Sequence, residues 1–202
     1  TVPPQRLPVA AVGQWQSMLQ EAWALLVRDH PEQAGELACG LLSVVSAPAS
    51  PRFRPYSASA DDSFGGALVS FPDDPTQLAV TLLHEFGHTK LNGLLHLVSL
   101  VEDDGQPRLY APWRDDPRPL AGLLHGAYAF FAVTEFWRTR RGIDTGPAGD
   151  LASYEFALWR LQTDATLRIL RSGEPLTPLG RRLVDALAAR LQPWLSEPVP
   201  AG

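Results

Sequence analysis

Residues 84–88 read His-Glu-Phe-Gly-His, and these residue types at this spacing carry a chemistry of their own. On a helix, positions four apart share a face, with β-carbons about 5–6 Å apart. Two imidazoles so placed can hold one divalent metal at ~2.0–2.1 Å from a single rigid support. Glu85 sits about 100° round from His84, within reach of a water on the metal but not readily of the metal itself. That is the placement of a general base rather than of a ligand. The flanking residues Leu78 to Leu83 and Leu91 to Leu95 are strongly apolar. In a helix buried by such flanks, two imidazoles and a carboxylate are costly unless paired or metal-bound.

A third ligand has to come from elsewhere. The extended zinc-protease pattern needs Gly and His three and six residues after His88, but Leu91 and Leu94 stand there. His96 lies about 12 Å further along an unbroken helix and about 100° off the metal face, so only a break at Gly93 would bring it back. His125 is the better candidate. The face around it carries Ala121, Gly122, Ala129 and Ala132, small residues that let one helix approach another closely enough to deliver an imidazole. Glu135, about 80° round on the same segment, is the alternative, since a Glu from a second helix completes some catalytic zinc sites. Arg114 and Arg118 precede this segment, and a guanidinium forks well onto a carboxylate. Their plainer use is pairing with Asp115 or Asp116.

The elements that position these residues follow from periodicity and caps. Val9 to Val27 carries apolar residues at helical spacing, and a second apolar run, Ala34 to Val45, also reads as helix. His30, before Pro31, is expected in a solvated loop, and Cys39 is expected as a small buried hydrophobe. Ser46 to Ser63 is rich in Pro, Ser, Arg and Asp and reads as a loop. Gly65 to Phe71 is the best strand. Asp74-Pro75-Thr76-Gln77 makes a capping box for a long helix running to about Leu100. Asp116-Pro117 repeats the start for a helix to about Arg141. Asp150 opens another, ended by Gly173, and Thr177-Pro178 a last one, ended by Pro193. The expected fold is mainly α, one helical domain over 1–202 with a metal site between two core helices and at most a small β element. Its ends, about 1–8 and 194–202, are expected to be disordered or Pro-rich.

Composition narrows the classes. The chain has 202 residues, 45% hydrophobic and 19% charged, with a net charge of -5 and a pI near 5.5. An acidic balance argues against a nucleic-acid binder, and no apolar run approaches the ~20 residues of a membrane span. One cysteine cannot make an internal disulfide. The N-terminus lacks both an initiator Met and the regions of a signal peptide, which suggests a cut domain and a cytoplasmic setting. Of 17 basic residues only Lys90 is lysine. It lies about 140° from the His84–His88 face, so it is expected to pair with an acidic neighbour or reach solvent rather than clamp a substrate.

The segments Leu83 to Leu91, Tyr110 to Leu120 (Tyr-Ala-Pro-Trp-Arg-Asp-Asp-Pro-Arg-Pro-Leu), His125 to Phe130 and Glu135 to Trp137 together resemble the HEXXH-motif peptide-modification proteins of ribosomal-peptide biosynthesis. The resemblance covers about Pro55 to Arg138, and the proline-tryptophan loop is its specific part. It implies action on a precursor peptide, beside or fused to a radical S-adenosylmethionine enzyme. Members of that family look like iron(II), 2-oxoglutarate-dependent peptide hydroxylases. Under this reading His84, His88 and His125 hold iron, Arg114 or Arg118 holds the far carboxylate of 2-oxoglutarate, and Glu85 orients a ligand or water. Two alternatives stand beside it. One is a zinc peptidase with Glu85 as base and the Gly65–Phe71 strand binding substrate; the other is a peptide-binding module whose metal is structural.

Overall fold

The computed structural model describes residues 6–51, 56–59, 64–102, 105–106, 108–173 and 175–199. It is mainly helical, with six helices and a small sheet among them: α1 (Val9–Asp29), α2 (Pro31–Gly40), β1 (Ser43–Ala47), β2 (Ser57–Ala58), β3 (Gly66–Ser70), α3 (Pro75–Leu95), α4 (Leu120–Arg140), α5 (Gly146–Arg171) and α6 (Pro178–Leu195). Contacts group these into two compact units, Thr1–Lys90 and Leu91–Gly202, with the division inside α3. No helix of the described residues is long and apolar enough to cross a membrane.

In the first unit β3 is the central strand, paired parallel with β1 and antiparallel with β2. Its Ala67 and Val69 are buried, together with Trp15, Leu26 and Leu37 of the helices. The apolar run from Ala34 is therefore two elements, not one helix. α2 stops at Gly40, and the β-branched pair Val44-Val45 joins β1, where such side chains suit a pleated surface. The turn back into β3 rests on Gly65, at φ +79°, a conformation other residues adopt only with strain. The end of α2 lies directly on the motif, since a β-carbon on Gly40 would sit 2.6 Å from the Phe86 ring.

Two expectations about this unit are corrected. His30 is buried rather than solvated, because α2 starts at the very next residue and the one-residue joint is packed. Cys39 is exposed; the buried positions of α2 are Ala34, Leu37 and Gly40, which leaves Cys39 on the outer side. The cap of α3 forms nearly as expected. The Asp74 carboxylate accepts from the Gln77 N–H at 2.8 Å, while Gln77 Oε1 accepts from the N–H of Asp73, one residue earlier than a standard box.

In the second unit, helix boundaries shift where backbone bonds go elsewhere. α3 ends at Leu95 rather than near Leu100, because Ser99 to Val101 bond to the segment before α6. The Leu100 carbonyl accepts from the Thr177 N–H at 3.1 Å, the Ser99 carbonyl accepts from the Thr177 hydroxyl, and Val101 bridges Leu176. α4 starts at Leu120, not Asp116, since Arg118 exchanges backbone bonds with Leu109 and is held extended. α5 begins a turn early, after Thr145, with a proline in its first turn. Thr177 caps α6 through the Gly180 N–H, and α6 runs two residues beyond Pro193, which occupies its last turn.

Candidate functional site

The site is built on the middle of α3. Its helical period brings His84 Nε2 and His88 Nε2 to 3.1 Å, with the rings at 85° and their centroids 4.8 Å apart. Two nitrogens at that separation, each ~2.0–2.1 Å from a common point, subtend about 95–100° there. This lies between the octahedral and tetrahedral angles, as two neighbouring ligands of one metal require. Burial, and secondarily the adjacent His88, pull the His84 pKa down to about 3. His84 is therefore neutral at physiological pH, the state in which an imidazole coordinates. On donor type, protonation and bite angle, the pair fits a divalent metal.

Glu85 is buried, 3% exposed. Burial pushes its carboxyl above the ordinary range, and hydrogen bonds from Ser57 and Ser59 oppose that shift only in part. Its Oε2 has no hydrogen-bond partner among the described residues. The carboxylate thus has one side held by the β2 strand and an oxygen left over. Such a group is equipped to accept a proton or to orient a neighbour.

Among the described residues no group of three His, Cys, Asp or Glu that could hold a metal ion is found. His125 lies half-buried on α4. Glu135, also on α4, pairs in that unit with Arg190 of α6 at 2.6 Å. His96 falls in the turn after α3 and is exposed. Arg114 donates to Asp116 at 2.7 Å, the plainer use expected for it. Arg118 is only 3.5 Å from the same carboxylate, and its guanidinium lies on Gly122, where a β-carbon would come within 3.2 Å of its Nε and Nη2. Lys90 pairs with Glu36 at 2.6 Å, as its helical position indicates.

Ser57 and Ser59 carry no motif, and the composition of their segment reads only as loop. Nothing short of the strand pairing marks them as partners of Glu85. The tryptophan of the proline loop has a clearer place. Trp113 stacks on Phe130 at 4.7 Å, Phe130 stacks on Trp159 at 4.2 Å, and the Trp113 indole lies where a β-carbon on Gly126 would be. The chain matches no protein-family model and no curated protein.

Proposed function

We propose that this chain is a metalloenzyme that modifies a ribosomally made peptide, with His84 and His88 as two of its metal ligands. The observation that carries the metal is the 3.1 Å approach of the two Nε2 atoms, joined by the neutral state of His84. The resemblance of the Leu83 to Trp137 segments carries the chemistry: iron(II) with 2-oxoglutarate, hydroxylating a peptide side chain. A radical S-adenosylmethionine enzyme is the partner it implies.

In this reading bound iron(II) would offer open coordination positions for 2-oxoglutarate and for oxygen, which is the oxidant. The protein supplies the rest. His84 and His88 fix two neighbouring positions, and His125 is the third ligand put forward by the sequence reading. Glu85, held by Ser57 and Ser59, orients what lies beside the histidines. Arg118, with one long ion pair to Asp116, is better placed than Arg114 to take up a carboxylate.

A zinc peptidase is the second reading, and the state of Glu85 favours it. A buried carboxyl with a raised pKa and an unclaimed Oε2 is suited to taking a proton from a water. One experiment separates the two. Protein loaded with iron(II) and 2-oxoglutarate is incubated with the precursor peptide, and products are read by mass. Addition of oxygen, lost in His84→Ala and His88→Ala with their bound metal, supports hydroxylation. Cleavage by the zinc-loaded protein, lost in Glu85→Gln with metal retained, supports the peptidase. If the protein binds neither metal, both readings fail.

A further inference from the structure

The buried positions of α5 are Ala152, Phe156, Thr163, Thr166, Leu167 and Leu170. About 150° round the helix lies a second apolar stripe, in which Leu151, Tyr154, Leu161 and Ala165 are exposed and Leu158 between them is half-buried. Leu151, Tyr154 and Leu161 are 50%, 62% and 59% exposed. The outer face of a surface helix ordinarily carries charges. Here the spacing is three, four, three, four, which is the seam of a coiled coil, and charges stand only at its ends, Asp150 and Arg168.

We infer that two copies of this chain pair through the stripe, α5 against α5, antiparallel about a two-fold axis. The stripe is complementary to itself in that arrangement. With the axis between Leu158 and Leu161, Leu158 of each copy meets Leu161 of the other, and Leu151 meets the aliphatic stem of Arg168. The large Tyr154 falls opposite the small Ala165, and Asp150 falls beside Arg168. A parallel pair would set Tyr154 on Tyr154 and oppose like charges at both ends. Arg168 is free to reach across, because its own bond to Asp164 is a surface one with the guanidinium side chain 73% exposed, and such pairs hold weakly. An isologous contact of this kind closes at two copies. Its span of about five turns is smaller than a standard interface, which makes the contact a weak, concentration-dependent one.

Sedimentation velocity on the whole chain, over a wide concentration series, tests the pairing. The expected result is a monomer–dimer equilibrium that Leu161→Glu weakens about 100-fold, because each dimer carries the change twice, with the helical circular dichroism unchanged. Orientation is read by disulfide trapping in a Cys39→Ser background. Tyr154→Cys with Ala165→Cys should cross-link two copies, and Tyr154→Cys alone should not. A chain that stays monomeric throughout, a dimer indifferent to Leu161→Glu, or efficient cross-linking by Tyr154→Cys alone each overturns the proposal.

Discussion

At the residue scale, the two titratable groups of the motif pull the pH dependence of folding in opposite directions. His84 is neutral when folded, with a pKa of about 3, and the unfolded chain takes up its proton near ~6.5. Below that value the unfolded state binds more protons, so the metal-free protein should lose stability from His84 as pH falls from about 6.5 toward 3. Thermal unfolding at pH 7 and pH 5 checks this, and His84→Leu should flatten the slope. Glu85 works the other way. Its raised pKa means that the folded state takes the proton first, so its contribution improves as pH falls through the folded pKa. Above the ordinary carboxyl range, where the unfolded chain is ionised and solvated, burial of this group is a cost to folding. Glu85→Gln should therefore raise the melting temperature by roughly 2–6 °C, about 1–2 kcal/mol, while removing any activity that needs the proton. Stabilisation by loss of a working group is the mark of a site residue. An unchanged or lower melting temperature would make Glu85 a packing residue. The motif itself was readable in the sequence because its offsets are those of one helix. Ser57 and Ser59 were not, because a hydrogen bond across a strand pairing leaves no local pattern.

At the scale of elements, the caps that predicted helix starts succeeded where nothing competed for their backbone. Asp74 and Thr177 start helices as their side chains indicate. Asp116-Pro117 has the same composition and does not, because Arg118 and Leu109 exchange backbone bonds and Asp116 is taken by Arg114. Likewise the run from Ala34 to Val45 divides because Val44 and Val45 find a strand partner far along the chain. Helical periodicity cannot report a partner at that distance. The proline loop offers a test at this scale. Its Trp113 occupies the space left by the missing side chain of Gly126, so Gly126→Ala must displace the indole. The expected cost is about 1–3 kcal/mol, with a red-shifted tryptophan emission as Trp113 leaves Phe130. A variant that keeps both stability and emission would show that the stack does not hold the loop.

At the scale of the molecule, the mainly α character was legible from composition and periodicity, since five of the helices carry the apolar spacing or caps that mark them. The division of the contacts into two units was not. It falls inside α3, which runs unbroken through Gly87, the polar His88-Thr89-Lys90 and Gly93, so these residues do not end the helix and announce no boundary. Sequence marks linkers, and here a helix stands in the place of one. The lone lysine gives this a practical meaning. Lys90 is the last residue of the first unit, and it is the only lysine in the chain. A lysine-specific protease can therefore cut at one place, returning Thr1–Lys90 and Leu91–Gly202 as separate pieces. Since Lys90 lies within α3 and is held by Glu36, cleavage has to wait for that helix to open. Its rate reports local opening of α3 rather than surface access. Metal bound near the motif should slow the cut, and the first fragment carries His84, Glu85 and His88 without His125. Its remaining metal affinity measures what the pair of histidines holds alone.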